Sequence, residues 1–359
     1  SQETNSAIPS RTKATFAGMF TLIGDPCHNY QTHFSDTRPD DFGFVMSAIS
    51  LDLEGADMSM QDNGYNWFSA SDELSSRNAN YANPYVRYVI PYTSLGIAND
   101  IINAFPADTK DAEAINMIAQ AKTIRAFDYL SLAPYFQGSY QTSKDKPCVP
   151  LLDGKNDYTN NPRATVAEVY TAIIDDLSYA IDNLTDARED KSRINKSVAL
   201  GLRARAYLYM GEYAKALVDA EAAMKGYTPA SLADVSVPGF DDSSASNWMW
   251  TYDLTDDQVA SAAASYATAA SWMSAFCGQG YAVATGNVPM INKLLYDKIP
   301  ATDVRKGWWL DENLHSPLLA NLEWKDSKGN VLAKGDAIAP LKIKDVKEPL
   351  VAYTNVKFS

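Results

Sequence analysis

Cysteine is nearly missing from this chain of 359 residues, which contains only Cys27, Cys148 and Cys277. The three are far apart, their number is odd, and no C-x-x-C pair occurs. This excludes the ligand spacings of structural zinc sites and of dithiol redox motifs. An isolated cysteine usually behaves as a small buried hydrophobic residue, so we predict a structural role for all three.

Histidine is equally scarce, with His28, His33 and His315 as the only three. The first two lie beside Cys27 in the sequence and together could hold a metal ion, but no fourth ligand is evident. We therefore predict no metal site and no cofactor. With so few histidines, general acid–base catalysis would have to rely on carboxylates.

Basic residues are outnumbered, since 31 Lys and Arg face 44 Asp and Glu, for a net charge of -13 at pH 7. Binding along a nucleic-acid backbone or to an anionic membrane surface needs clustered positive charge, so both are excluded. No run of about 18 apolar residues is present to span a bilayer. The polar N-terminus lacks the hydrophobic core of a signal peptide, which predicts either a cytosolic protein or a mature or trimmed chain.

Motifs that carry a catalytic mechanism are also missing. The sequence has no phosphate-binding G-x-x-x-x-G-K-[ST] loop, no G-x-S-x-G nucleophile elbow, no H-E-x-x-H zinc helix and no EF-hand loop. A glycosidase needs two carboxyl groups held about 5–10 Å apart. Adjacent pairs such as Asp241–Asp242 and Asp256–Asp257 are expected by chance at this acidic content. We therefore predict that the protein is not an enzyme.

Aromatic residues are abundant, with 21 Tyr, 12 Phe and 7 Trp. Two clusters lie in segments without helical or strand periodicity, residues 61–87 and 265–287. Their rings suit stacking on sugar rings and their amide and guanidinium groups suit hydroxyls, although the same set could bind a peptide or form core beneath loops. The candidate ligand-binding residues are Tyr65, Asn66, Trp67, Arg77, Asn78, Tyr81, Trp272 and Tyr281. We expect the remaining tryptophans to be mainly structural; they are Trp248, Trp250, Trp308, Trp309 and Trp324.

Apolar residues spaced three and four apart predict a mainly α-helical protein. The predicted helices are 44–60, 88–105 with a start bent or delayed by Pro91, 112–136, 165–184, 196–209, 213–225 and a short one within 288–299. Thr165 and Glu168 match a capping box at the start of the fourth helix. On the same helix, Asp175 and Asp176 are predicted to face solvent. Arg125, inside an apolar helix, is predicted to form a structural salt bridge.

The helices 196–209 and 213–225 have the spacing of a tetratricopeptide repeat. Small and aromatic residues at matching positions let the two helices approach each other closely; they are Ala206, Tyr207, Gly211, Tyr213, Ala216 and Ala223. One hairpin of this kind cannot bury its apolar faces alone, so we expect neighbouring helices to stack on it. After residue 230 the periodicity weakens, and turn signals near 329–335 predict a small hairpin within 320–358.

Seven segments then follow one another in a characteristic order. They are ANDIINAF (98–105), AQAKTIRAFDYLSLAPYFQGSY (119–140), VPLL (149–152), VAEVYTAIIDDLSYAIDNL (166–184), SRINKSVALGLRARAYLYMGEYAKALVDAEAAM (192–224), SNWMWTYDL (246–254) and LLYDKIPATDVRKGWW (294–309). This order resembles the SusD/RagB family of outer-membrane glycan- and nutrient-binding lipoproteins of Bacteroidetes. The resemblance covers residues 90–309, and 310–359 only loosely, with Asn99, Arg125, Ala126 and Phe127 at family positions.

The resemblance implies a single SusD-like domain over residues 1–359. It would comprise a loop-rich part (1–87), a scaffold of tetratricopeptide-like helix pairs (88–229) and an irregular, aromatic-rich part (230–359), which would be truncated by comparison with the family. Members of the family are not enzymes. They are lipid-anchored at the cell surface over a TonB-dependent, SusC-like transporter, and they capture a saccharide or, in some cases, a peptide.

Two departures from the family pattern produce further expectations. The anchor cysteine expected upstream of Ser1 is absent from this chain, and membership would place it and the signal peptide before the first residue. Family members also continue into another helix pair with an R-x-x-E segment. If that pair is missing, the last helix of the stack should expose an apolar face.

The sequence thus predicts non-catalytic, cell-surface binding of an oligo- or polysaccharide and its delivery to a SusC-like transporter in the outer membrane. Trp67 and Tyr65 would stack on sugar rings, with Trp272 or Tyr281 completing the platform. Two alternatives remain, a peptide-binding nutrient receptor of the RagB type and a tetratricopeptide-type adaptor for other proteins. Ligand contacts on helices 165–225 would favour the adaptor.

Overall fold

The computed structural model of the protein describes residues 9–23, 43–60, 74–75, 78, 82–155, 160–237, 239, 242–252, 290–325, 328–338 and 351–357. The chain divides into two compact units. The first unit comprises Ser1–Ile23, Arg87–Thr228 and Ser246–Asp253, and the second comprises Gly24–Val86, Pro229–Ala245 and Leu254–Ser359. That residues 1–359 act as one SusD-like domain stays a prediction.

The described residues are mainly helical, which confirms the predicted fold class. The helices are α1 (Pro9–Met19), α2 (Gly43–Glu54), α3 (Ala82–Asn103), α4 (Ala112–Phe136), α5 (Tyr140–Ser143), α6 (Val166–Asn183), α7 (Lys196–Met210), α8 (Tyr213–Ala223), α9 (Leu232–Val235) and α10 (Lys293–Tyr296). The strands are β1 (Met58–Ser59), β2 (Met290–Ile291), β3 (Glu323–Lys325) and β4 (Val331–Lys334). Short 3-10 helices cover Thr21–Ile23, Val304–Trp308, Pro317–Leu319 and Gly335–Ile338. Within these ranges, no helix combines the length and apolar character needed to cross a bilayer.

Local signals in the sequence set the helix ends of the first unit. At the start of α6, the Thr165 side chain accepts a hydrogen bond from the backbone of Glu168, and the Glu168 carboxylate accepts one from the backbone of Thr165. This is the predicted capping box, which satisfies two otherwise unpaired N–H groups. Gly211 ends α7 in the left-handed region, with φ of 78°, where a side chain would cause strain.

Helix α3 differs from its predicted start. It begins at Ala82 and continues through Pro91, whereas the sequence suggested a start near residue 88. Proline removes one backbone hydrogen bond from a helix interior. Val86 and Ile90, which precede Pro91 in the helix, are fully buried, and their burial offsets the cost. The predicted helix 44–60 likewise ends earlier, at Glu54, where Gly55 follows.

The core of the first unit lies between consecutive helices. Helix α4 packs on α6, α6 on α7, and α7 on α8. Ile173, Leu177 and Ala180 of α6 are fully buried in this core, as the period of the sequence predicted. Because only two residues link α7 to α8, these helices run antiparallel.

Helix α8 buries small residues and exposes larger apolar ones. Ala216 and Ala223 are buried at its interface with α7, whereas Tyr213, Leu217 and Val218 are exposed. The small buried residues allow the close approach expected of a tetratricopeptide hairpin. The helix therefore buries its small residues and exposes larger apolar side chains.

The second unit contains two small antiparallel pairings. Strand β1 pairs with β2 through Met58–Ile291 and Ser59–Met290. Strand β3 pairs with β4, which confirms the hairpin predicted from its turn residues. The segment predicted as a short helix within 288–299 instead divides into β2 and α10. Leu310, Leu318, Leu319 and Val356 form a separate buried cluster.

Candidate functional site

Seven of the eight predicted ligand-binding residues lie outside the described residues. They are Tyr65, Asn66, Trp67, Arg77, Tyr81, Trp272 and Tyr281. Asn78 is described and lies exposed in a bend. The two aromatic clusters therefore remain a prediction, and the geometry that follows is that of the described residues.

Two family positions, Asn99 and Arg125, meet Asp176 in one buried network of the first unit. On α4, the Arg125 guanidinium donates from Nε to Asp176 Oδ2 (2.7 Å), from Nη2 to Asp176 Oδ1 (2.9 Å) and from Nη1 to Asn99 Oδ1 (2.7 Å). Lys122 Nζ adds a further bond to Asp176 Oδ1 at 2.7 Å. Burial by itself lowers the pKa of Arg125, but the hydrogen bonds and charge of Asp176 outweigh it and raise the pKa.

This network confirms the predicted structural salt bridge of Arg125 and corrects the prediction for Asp176. Asp175 is exposed as expected, but Asp176 is buried. The turn of α6 carries Asp176 toward α4, where Arg125 and Lys122 neutralise it. Periodicity marked both aspartates as polar, and nothing in α6 alone reveals the cations that meet one of them.

The VPLL segment is fixed to the same scaffold through its backbone. Asn99 Nδ2 donates to the Leu152 carbonyl (2.9 Å), and the Tyr92 hydroxyl donates to the Pro150 carbonyl (2.7 Å). The Leu152 amide donates to the Tyr129 hydroxyl at 2.7 Å. Burial raises the pKa of Tyr129 to about 12, which keeps this hydroxyl neutral. The characteristic residues of the family pattern therefore build the scaffold here.

A second buried ion pair joins three helices of the stack. Arg203 on α7 donates to both carboxylate oxygens of Asp219 on α8, at 2.7 and 2.9 Å. Its Nη1 donates to the Ser178 hydroxyl of α6 at 2.9 Å. These bonds raise the pKa of Arg203 and keep its charge satisfied. Together with the Arg125 network, they account for the buried charges between these helices without a ligand.

Asp128 is a buried carboxyl of a different kind. It is fully buried on α4, and burial raises its pKa well above the ordinary range, with the Ser94 hydroxyl offsetting this in part. Burial therefore favours the neutral form of this carboxyl. Among the described residues, no three His, Cys, Asp or Glu side chains come together as metal ligands. The one described cysteine, Cys148, is buried and unpaired, as predicted for a structural thiol.

The tryptophans outside the two clusters have different environments. Trp250 donates its indole N–H to the Ser192 carbonyl (3.0 Å) and meets Phe127 edge to face, which confirms its structural role. Trp308 donates to the Val235 carbonyl (2.8 Å) and packs against the small cluster of the second unit. Its neighbour Trp309 does not share this role, because it lines a cavity.

That cavity, of about 450 Å³, lies entirely within the second unit. Tyr296, Lys306, Trp309, Asp311 and His315 are among its lining residues. Trp308 and Leu310 pack in the apolar cluster, whereas Trp309 between them lines the cavity. The sequence predicts a mainly structural role for both tryptophans, and only the pairing of Trp309 with Asn355 fixes which one faces the cavity.

Close backbone approach shapes the wall of this cavity. A side-chain carbon added at Gly307 would lie 2.7 Å from Pro317 Cγ, so the two 3-10 helices touch where only glycine fits. The Ser316 hydroxyl donates to the Gly307 carbonyl and holds them together. Lys306 Nζ donates to the Ile299 carbonyl at 2.9 Å and lies 4.8 Å from the centre of the Tyr296 ring. The lining is thus built before any ligand arrives.

Comparison with known proteins identifies relatives of this chain. Residues 44–208 match the SusD-like family described as "Starch-binding associating with outer membrane". A SusD-like protein of Bacteroides ovatus is 30% identical over 123 residues, which make up 33% of this chain and 21% of that protein. The match therefore spans about a fifth of the curated relative's length.

Solved structures share the fold at low sequence identity. A SusD-like carbohydrate-binding protein from Bacteroides vulgatus superposes with a TM-score of 0.70 at 18% identity, covering 97% of this chain and 68% of that chain. A SusD superfamily protein from Bacteroides thetaiotaomicron gives 0.62 at 20% identity, covering 84% and 64%. Over residues 44–208, the sequence match and this shared mainly helical fold confirm the family predicted from the order of motifs, the SusD-like family.

Proposed function

We propose that the protein binds a saccharide at the cell surface, without transforming it, and passes it to a SusC-like, TonB-dependent transporter. The observation that carries this proposal is the match of residues 44–208 to a family described as starch-binding and associated with the outer membrane. The same description supports placing the protein at the outer membrane as a lipoprotein. The transporter and the lipid anchor follow from the family resemblance of the sequence.

The scaffold geometry supports a ligand platform outside the helices of the first unit. Asn99, Arg125 and Asp176 use their polar groups on one another, and Asp219 is held by Arg203. These groups are consequently occupied by the fold and contribute little to ligand binding. The aromatic segments 61–87 and 265–287 remain as the proposed platform. Trp67 and Tyr65 would stack on sugar rings, and Asn66, Arg77 and Asn78 would bond hydroxyls.

Binding without catalysis also agrees with the state of the described buried carboxyls. Asp176 and Asp219 form ion pairs with Arg125 and Arg203, respectively. Asp128 on α4 is fully buried, and burial raises its pKa. A glycosidase needs one carboxylic acid and one carboxylate facing the same substrate bond. None of these three meets that requirement, so the proposed activity is capture alone.

The proposal is tested by affinity electrophoresis in gels that contain soluble polysaccharides, beginning with the starch-type glucans amylopectin and pullulan. Laminarin, xylan and galactomannan extend the panel, and calorimetry with short peptides covers the RagB-type alternative. We expect one glycan class to retard the wild type, and Trp67→Ala to weaken binding by about tenfold, or about 1.4 kcal/mol.

Tyr213→Ala provides the matched control, because Tyr213 is an exposed aromatic residue on the scaffold helix α8. It should leave glycan retardation unchanged. Peptide binding that is lost in Tyr213→Ala, with no glycan binding, would instead establish the adaptor function. Glycan binding that survives Trp67→Ala would keep the function and move the platform toward residues 265–287.

A further inference from the structure

The cavity of the second unit, lined by Tyr296, Trp309 and Asp311, has no role in the scaffold described above. We propose that it is a second saccharide-binding site, selective for neutral sugars and separate from the platform at residues 61–87 and 265–287. The argument rests on its size, its aromatic lining, its available polar groups and its charge balance. It does not require the proposed platform to be correct.

The dimensions fit a small ligand. A volume of about 450 Å³ falls within the range of about 300–1,000 Å³ that is typical of small-molecule sites. Aromatic rings on the lining give an apolar surface on which the C–H face of a sugar ring can lie. Trp309 and Tyr296 are both half-buried, so each ring is held in place yet still reachable from solvent.

Polar groups on the lining are available to hydroxyls. Within the described part of the chain, neither the Trp309 indole N–H nor the Tyr296 hydroxyl makes a hydrogen bond. Asp311 uses Oδ1 to accept the backbone N–H groups of Asn313 (2.8 Å) and His315 (2.9 Å), which fixes the carboxylate and leaves Oδ2 for a ligand. Donors and acceptors thus border the aromatic surface, as recognition of a polyhydroxylated ring requires.

The charges at the site balance. Asp303 is held by Arg305, with Nη2 2.6 Å from Oδ2, and these hydrogen bonds lower the pKa of Asp303 to about 2. The negative charge of Asp311 is offset by the positive charge of Lys306. The Lys306 ammonium group donates a hydrogen bond to the Ile299 carbonyl and lies over the Tyr296 ring. His315, also on the lining, is paired with Asp336 (Nδ1–Oδ2 2.6 Å). Because each charged group on the lining already has a partner, an ionic ligand would have to displace one, whereas a neutral sugar would not.

The site is also preformed. The backbone of Leu310 pairs with that of Thr354 (2.9 Å) and Val356 pairs with Trp308 (2.8 Å), which fixes the segment that carries Trp309. Gly307 and Pro317 hold the opposite wall in contact. A preformed lining reduces the entropy lost on binding, which matters for sugars because each contact is weak.

The test uses ¹⁹F NMR of the full chain labelled with 5-fluorotryptophan, whose seven resonances are assigned by single Trp→Phe variants. The probes are maltohexaose, laminarihexaose, cellohexaose and xylohexaose, each titrated to about 20 mM, a range that covers millimolar affinity. We expect at least one probe to shift the Trp309 resonance saturably. Trp308 is an internal control, because its N–H is bonded to Val235 and its ring faces the apolar cluster.

Tyr296→Phe removes only the hydroxyl, and we expect it to weaken the titration about 2- to 12-fold, as for loss of one hydrogen bond. The Trp309 shift should persist in Trp67→Ala, which would separate the two sites. The proposal is overturned if Trp309 does not respond to any probe, if Trp308 shifts equally, if Tyr296→Phe has no effect, or if Trp67→Ala abolishes the response. A Trp67 response without a Trp309 response would retain the proposed function and reject only this site.

Discussion

Replacing Asp176 by Asn removes the single anion that two buried cations share. In the folded protein Asp176 accepts three charged hydrogen bonds, from Arg125 Nε and Nη2 and from Lys122 Nζ. The Asp176 side chain is 5% exposed, and those of Arg125 and Lys122 are 16% and 21% exposed. The variant would therefore leave two neighbouring positive charges close together and poorly hydrated.

The expected loss follows from this burial. Breaking a buried ion pair by removing one partner costs about 3–5 kcal/mol, because the remaining charge is uncompensated. Both cations retain some exposure and can turn partly toward water, so we expect a value near the lower end, about 3 kcal/mol. At about 2–4 °C per kcal/mol, the melting temperature of the helical signal should fall by about 6–12 °C.

Circular dichroism at 222 nm, in thermal and urea unfolding, measures this loss. Asp175→Asn is the matched control, since Asp175 is the exposed neighbour on the same helix and should cost no more than about 0.5 kcal/mol. The double variant Arg125→Leu/Asp176→Leu removes the pair together and should be more stable than Asp176→Asn alone. Equal stability of Asp176→Asn and Asp175→Asn would refute the reasoning.

Two further predictions concern the core of the first unit. Burial raises the pKa of Asp128 above that of an Asp in the unfolded chain. Between about pH 4 and the folded-state pKa, the native chain therefore keeps a proton that the unfolded chain releases. The stability present below about pH 4 is lost as pH rises through this range, by up to about 1.4 kcal/mol per pH unit. Asp128→Asn should therefore match the wild type near pH 4 and exceed it at pH 8 in urea unfolding, whereas parallel pH profiles would contradict a protonated Asp128. Leu177→Ala should lower the free energy of unfolding by about 2–5 kcal/mol, because Leu177 is 0% exposed. Leu217 is 58% exposed, so Leu217→Ala should cost less than about 1 kcal/mol. Equal urea midpoints for the two variants would argue against the described burial.

The helices of the first unit were largely predictable because their signals are local. The capping box of Thr165 and Glu168, the glycine after α7 and the apolar spacing of α6 all act within a few residues of one another. Such interactions do not depend on the rest of the fold. Pro91 shows the limit of this reasoning, since burial of Val86 and Ile90 carried α3 through a residue that normally ends a helix.

The candidate sites were less predictable. Aromatic density identified the two proposed platform segments, and their residues retain the status of a prediction. Asn99 and Arg125 could be recognised as family positions, but sequence spacing did not show that they meet each other and Asp176. Residues 26 and 51 positions apart are brought into hydrogen-bond distance only by the packing of α4 against its neighbours.

The sequence by itself determined the helical class, the capped start of α6, the glycine-marked end of α7 and the family, because these depend on periodicity, capping and the order of motifs. Only the tertiary structure decided between chemically identical neighbours. Asp175 remains in water while Asp176 is buried against Arg125, and Trp308 enters an apolar cluster while Trp309 lines a cavity. In each pair the two residues have the same local chemistry, and the difference lies in what distant segments place opposite them.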